Sequence, residues 1–290
     1  MKKTIKLICI LLILIILTGC TTIKQEKDDK FKIVTSFYPI YIIALNLTDG
    51  IDNVIVENMT ETNVGCLHDY TLTTNDLIKL ENADVFIQNG LGIETFIQKV
   101  TESYSDLKII NSSNNVENLI VNGEIPNGHI WTSVENYILQ IQNISEELCK
   151  IDSKNENKYK RNAQKYIDKI NEANEQINNS EIKAVCFDES FEYLARENNI
   201  NLTTIYTDHE QSSLSAESLA NLINKMKEEN IQVIIIAKNE ENKNATLVQK
   251  ETGAQIYELD NYITGDNDKN AYINSLIQNK ETINKIKTSQ

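Results

Sequence analysis

Histidine is scarce in this chain: only His68, His129 and His209 occur, against 42 Asp and Glu. A lone His is by default a solvated or merely hydrogen-bonded side chain. The motifs that would give one a reaction to run are missing. There is no His-Glu-x-x-His, no Gly-x-Ser-x-Gly, no Gly-x-x-x-x-Gly-Lys-Ser/Thr and no dinucleotide glycine fingerprint. The five cysteines, Cys9, Cys20, Cys66, Cys149 and Cys186, form neither a Cys-x-x-Cys pair nor a disulfide framework. Scattered imidazoles and abundant carboxylates name no reaction by themselves and are compatible with a cation as partner. The formal net charge of −14 is compatible with that and repels nucleic acid and anionic bilayer surfaces.

The elements that must position these residues follow from periodicity. With 290 residues, 41% of them hydrophobic, the chain is long enough for two domains with real cores. β-rich runs at Lys32–Ser36, Asn53–Glu57, Asp84–Ile87 and Lys108–Ile110 alternate with helical stretches, and a second set lies at Lys183–Phe187, Leu202–Ile205, Gln232–Ala237 and Gln255–Leu259. One of the helical stretches is Ser215–Glu229, with Leu219, Leu222, Ile223 and Met226 at helical spacing. Alternation of this kind predicts an α/β fold of two lobes, each a mainly parallel sheet covered by helices. Between them a polar segment without Pro or Gly carries the stripe Tyr159, Ala163, Tyr166, Ile170, preceded by Ser153 and Glu156 at capping-box spacing. Either an amphipathic surface helix or one long rigid helix joining the lobes fits this pattern, and its place between the strand sets favours the link. The expected boundaries are 32–150 for the N-terminal lobe, 151–180 for the linking helix and 181–290 for the C-terminal lobe.

Lys2, Lys3 and Lys6 precede the apolar run Leu7–Leu17, too short for a stable bilayer span, and the run ends Leu17-Thr18-Gly19-Cys20. That ending resembles the bacterial lipobox. Residues 1–19 are accordingly expected to be a lipoprotein signal peptide, Cys20 the site of diacylglycerol attachment, and residues 20–31 a flexible tether. Two acyl chains suffice for stable attachment. The expected location is the outer face of the cytoplasmic membrane, lipid-anchored and extracytoplasmic.

Several segments together resemble one family. Ile33-Val34-Thr35-Ser36-Phe37-Tyr38-Pro39, His68-Asp69-Tyr70, the run Leu80–Gly90, His129-Ile130-Trp131, Phe187-Asp188-Glu189-Ser190-Phe191-Glu192-Tyr193-Leu194 and Glu251-Thr252-Gly253-Ala254 are similar, in this order, to the metal-binding substrate-binding lipoproteins of bacterial zinc and manganese ABC importers. The resemblance covers essentially the whole chain after the signal. It implies two lobes joined by a rigid helix, a divalent metal in the cleft between them, an ABC permease as partner and a monomer with no enzymatic activity. Carried over by position, the ligands are His68, with Leu67 where Pro is usual; His129; Asp188, three residues before Phe191; and Asp260 after the last strand. Asn127 and Gly128 stand where an acidic residue and Pro are usual, which is expected to loosen the loop before His129.

Asp188 and Asp260 also directly follow strands, where ligands bind in open parallel sheets. An Asp there can equally be a helix cap, or both cap and ligand. Glu258 and Asp266 are alternatives to Asp260. His209 lies in a loop expected near the cleft, as a surface side chain or a spare ligand. Cys66 and Cys186, each two residues from a proposed ligand, read as buried thiols that could approach the site, and Cys149 reads as core. Two imidazoles and two carboxylates give four donors for zinc, or six for manganese if both carboxylates chelate. Asp188 in place of a third His, and the lack of His in Asn111–Gly128, tilt the set toward Mn2+, with Zn2+ second. Two other readings stand beside this one: a secreted metal-dependent hydrolase with Glu189 as general base, and a surface adhesin whose metal site is structural or vestigial.

Overall fold

Runs of Val and Ile become parallel strands wherever they are flanked by polar turns. A computed structural model describes residues 30–289 other than 66, 68, 69, 98, 100–102, 123, 124, 175–178 and 206–213. The signal segment, Cys20, and the tether up to its last residues lie outside the described residues. From Phe31 onward the chain forms one compact unit.

Strands β1 (Phe31–Thr35), β2 (Val54–Asn58), β3 (Val85–Gln88) and β4 (Lys108–Asn111) form a wholly parallel sheet in the order β2-β1-β3-β4. Its register sets Ile33 between Val56 and Val85. Helix α1 (Tyr38–Leu47) begins with Pro39 in its first turn, where a missing N–H costs nothing. Helix α2 (Thr74–Glu81) carries a complete capping box between Thr73 and Asp76. A short antiparallel hairpin, β5 (Val121–Asn122) and β6 (Ile125–Pro126), then leads into a 3-10 turn at Ile130–Thr132. The hairpin lies outside the strands predicted above, although Asn122-Gly123 is a turn-forming dipeptide.

Two long helices follow, α3 (Val134–Ile151) and α4 (Glu156–Ala173), and they pack against each other. The predicted stripe on α4 is buried, with Ile167 added to it. One side of α4 meets α1 and α3, and another meets the C-terminal helix of the chain. The predicted capping box at Ser153 and Glu156 does not form. Ser153 sits in a separate 3-10 turn, and Asn155 occupies the cap position without making a side-chain cap bond. Asp152 organises this start instead, accepting from Asn155 Nδ2 at 2.7 Å and from the Tyr159 hydroxyl at 2.8 Å.

The second sheet consists of β7 (Ile182–Cys186), β8 (Ile200–Thr204), β9 (Val233–Ala237) and β10 (Gln255–Leu259), all parallel, in the order β8-β7-β9-β10. It repeats the winding of the first. Around it lie α5 (Glu192–Glu197), α6 (Ala216–Glu228), α7 (Lys243–Thr252) and α8 (Ala271–Ser289). Ser215 caps α6 and Asn242 caps α7, while Gly253 ends α7 in the left-handed conformation that glycine adopts without strain.

Period two along β7 divides its side chains between two cores. Ala184 and Cys186 belong to a large core that runs on through α3 and α4 to the first sheet. Val185 and Phe187 face a smaller one, with Leu222 and Met226 of α6 and Ala245 and Val248 of α7. Among the described residues no helix is long and apolar enough to cross a membrane.

Candidate metal centre

In each sheet the strand order reverses beside its first strand, between β1 and β3 and between β7 and β9. The carboxyl ends at such a reversal are where open α/β sheets bind ligands. Asp188 stands two residues beyond β7, at the reversal of the second sheet, and is half-buried. Its Oδ1 accepts from the Ser190 N–H at 2.8 Å, capping the 3-10 turn Glu189–Phe191. The cap reading of Asp188 is therefore observed. Asp260 follows β10 directly and is half-buried too, its Oδ1 accepting from the Tyr262 N–H and its Oδ2 from the Ser275 hydroxyl, both at 2.7 Å. Asn279 of α8 braces the backbone of Asp260 at both its N–H and its carbonyl. Of the alternatives, Glu258 is exposed on β10, and Asp266 is exposed with its carbonyl accepting from the Tyr38 hydroxyl.

His129 is only 4% exposed and precedes the turn that carries Trp131. Its ring tilts against the indole with centroids 5.1 Å apart. Trp131 is buried, donates from Nε1 to the carbonyl of Asn261 and accepts at its own carbonyl from the Tyr272 hydroxyl. The loop before His129 is not loosened, contrary to the expectation from Asn127 and Gly128. Asn127 is buried and donates from Nδ2 to the Glu189 carbonyl (2.9 Å) and to Glu192 Oε2 (3.0 Å), both in the C-terminal lobe. Its carbonyl accepts from the Tyr193 hydroxyl. Gly128 has its carbonyl held by Asn89 Nδ2 at 3.0 Å and lies so close to Ile93 that a Cβ would stand 2.8 Å from that side chain. Gln140 of α3 in turn holds Asn89. A buried polar network fixes this loop where proline was expected to.

Glu189 brings its Oε1 to 3.9 Å from His129 Nδ1. Burial pushes the Glu189 carboxyl above its ordinary range, and the charges of Glu192 and Asp188 push it further the same way. Cys186 is buried, its Sγ within 3.4 Å of the Asp188 N–H, and burial raises its thiol far above the usual value, as expected of an inert structural cysteine. Cys149 is half-buried, less enclosed than the core position predicted for it.

His68, His209 and Cys66 lie outside the described residues. Among the described residues no three of His, Cys, Asp and Glu gather closely enough to hold a metal ion. His129 is thus brought to Glu189 and Asn127, and it does not form a compact cluster with Asp188 and Asp260. The burial of Asn127 was not foreseen, because nothing in the local pattern marks a loop asparagine as buried.

Two α/β lobes with strand ends and buried polar side chains at their junction define the class of two-lobed substrate-binding proteins. Residues 33–286 match the family described as zinc-uptake complex component A periplasmic, ZnuA, and the chain belongs to that family. It is 29% identical over 242 residues to the iron-binding protein YfeA of Yersinia pestis, covering 80% of this chain and 77% of that one. It is 25% identical over 287 residues to the high-affinity zinc uptake system protein ZnuA of Bacillus subtilis, covering 89% and 88%. A solved structure of the substrate-binding protein FpvC from Pseudomonas aeruginosa with Mn2+ superposes with a TM-score of 0.79 over 90% of this chain and 100% of that one, at 22% identity, and shares the fold. The chain is a metal-binding substrate-binding protein of an ABC importer and not an enzyme, which sets aside the hydrolase reading and its general base Glu189.

Proposed function

We propose that this chain captures a divalent transition metal outside the cytoplasm, in the cleft between its lobes, and delivers it to the permease of its importer. His68, His129, Asp188 and Asp260 are the ligands of this reading, and the protein acts as a monomer held to the membrane through Cys20. Helix α4 serves as the rigid link between lobes bounded as in the sequence reading. The observation that carries it is the setting of His129. A buried imidazole at the lobe junction with Nδ1 engaged by an amide oxygen is arranged as metal-binding histidines are, through one nitrogen while a neighbour holds the other. Asp188 and Asp260 support it as half-buried carboxylates beyond strand ends, each bonded to donors that leave lone pairs for a cation.

Two imidazoles and two carboxylates make a harder site than three imidazoles, so Mn2+ is the proposed cargo and Zn2+ the runner-up. Relatives named for iron, zinc and manganese make Fe2+ the third metal to test. Mass-spectrometric identification of the metal that co-purifies from the native host, followed by calorimetric titration with each metal, tests the reading. One equivalent of Mn2+ bound in the cleft is expected. A purified chain that binds none of the three would overturn capture and leave the adhesin reading.

A further inference from the structure

We propose that Asn127 is a positioning residue: it dictates which nitrogen of His129 faces the metal and ties that ligand to the opposite lobe. The inference rests on His129 being a ligand and adds to it. Asn127 Oδ1 accepts twice from the same residue, from the His129 backbone N–H at 2.9 Å and from its Nδ1 at 2.8 Å. Asn127 Nδ2 faces the other way, toward the Glu189 carbonyl at 2.9 Å and Glu192 Oε2 at 3.0 Å.

This arrangement admits one assignment of atoms. A backbone N–H can only donate, so the amide atom it meets is oxygen. A peptide carbonyl can only accept, so the amide atom that meets the Glu189 carbonyl is nitrogen. With the amide fixed at both edges, His129 Nδ1 must carry the hydrogen, and the lone pair for a metal resides on Nε2.

Only asparagine meets all four demands. Aspartate keeps the acceptor for His129 but turns an oxygen toward the Glu189 carbonyl and the Glu192 carboxylate. Alanine abandons both sides. Because Glu189 begins the turn that Asp188 caps and Glu192 directly follows it, Asn127 spans directly from one proposed ligand of the N-terminal lobe to the segment carrying one of the C-terminal lobe.

Long-range 1H–15N spectra of the metal-free full-length mature protein at pH 8 read the tautomer, and with three histidines in the sequence single substitutions suffice for assignment. The wild type is expected to show His129 with its hydrogen on Nδ1. N127A is expected to lose that preference and to bind Mn2+ and Zn2+ roughly 10–100-fold more weakly, the range typical of lost outer-shell partners. N127D keeps the tautomer yet binds more weakly through its contact with Glu192, and N127D/E192Q recovers affinity by restoring a donor–acceptor pair. This pair of variants also decides the matter if N127A fails to fold. A wild-type His129 protonated on Nε2, or N127A with unchanged tautomer and affinity, overturns the positioning role. N127D with wild-type affinity, unaffected by E192Q, overturns the tie between lobes. H129A separates the two levels: unchanged affinity in that variant refutes His129 as a ligand, whereas lost affinity in H129A beside an unaffected N127A refutes the role of Asn127 alone.

Discussion

One oxygen of Asp188 accepts from the Ser190 N–H, and a carboxylate used in this way still has lone pairs to offer a cation. Substitutions can separate the two tasks. Asp188→Ala removes both and should cost about 1 kcal/mol of metal-free stability through the lost cap, together with most of the metal affinity. Asp188→Asn retains an acceptor for Ser190 and loses the charge. Its metal-free melting temperature should match the wild type while its affinity for Mn2+ falls by more than the roughly 10–100-fold that outer-shell changes produce. Asp188→His should shift preference toward Zn2+. Calorimetric titration of the three variants checks this, and an Asp188→Asn variant with native affinity would leave Asp188 as a cap only. A second residue-scale prediction concerns Glu94, which is buried and accepts from the N–H groups of Asn89 and Gly90 at 2.7 and 3.0 Å. Burial raises its carboxyl above the ordinary range in spite of those bonds. A carboxyl whose folded value is raised stabilises the fold at low pH and loses that contribution as pH climbs from its unfolded toward its folded value. The stability of Glu94→Gln relative to wild type should therefore increase with pH above about 4.3, the unperturbed Glu value. Urea melts across that interval measure it, and a difference independent of pH would contradict the assigned cause.

Helix α3 begins under a carboxylate from the other lobe. Glu197, at the end of α5, accepts from the N–H groups of Val134 at 2.8 Å and Glu135 at 3.0 Å, and from the Ser133 hydroxyl. Four N–H groups at a helix start lack partners within the helix, and the positive end of its dipole attracts an anion. Glu197 thus joins the lobes by meeting a need of α3 that Ser133, bonded only to Asn136 N–H as cap, meets in part. Glu197→Ala should destabilise the metal-free protein by about 1–2 kcal/mol and lower its melting temperature by a few degrees. Metal stoichiometry should stay at one. Scanning calorimetry beside a binding titration distinguishes this from damage at the cleft, which would move both.

At the scale of the molecule, the continuous core decides how metal and stability are linked. Residues of both sheets share one apolar interior, and Tyr137 of α3 stacks on Tyr272 of α8 with centroids 3.7 Å apart, Tyr272 in turn on Tyr262 at 4.5 Å. A fold secured in this way does not depend on the cargo for its existence. Chelation should leave circular dichroism unchanged, while Mn2+ at a hundredfold excess over Kd should add about 2.7 kcal/mol, raising the melting temperature by roughly 5–10 °C. Loss of secondary structure on chelation would count against it. Cys20→Ala tests the anchor: the variant should be released from membranes or left unprocessed, and normal processing with full membrane retention would refute lipidation.

Local apolar runs and periodicity located the strands and helices, and the alternation of the two gave the parallel sense and the two-sheet plan, because period two and period 3.6 are local properties that burial on a sheet or helix face imposes on neighbouring residues. Most of the strands came within a residue or two of their observed limits for that reason. The position of Asp188 and Asp260 beyond strand ends was equally legible, since it needs only the strand limits. Tertiary structure decided what sequence spacing cannot carry. Asn127 satisfies partners 62 and 65 residues away, and Glu197 caps a helix 63 residues before it. The start of α4 is organised by Asp152 and not by the Ser153–Glu156 pair. A polar side chain's partner depends on which donors and acceptors the fold brings within 3 Å and shields from water, and buried polar groups must find such partners wherever they lie in the chain.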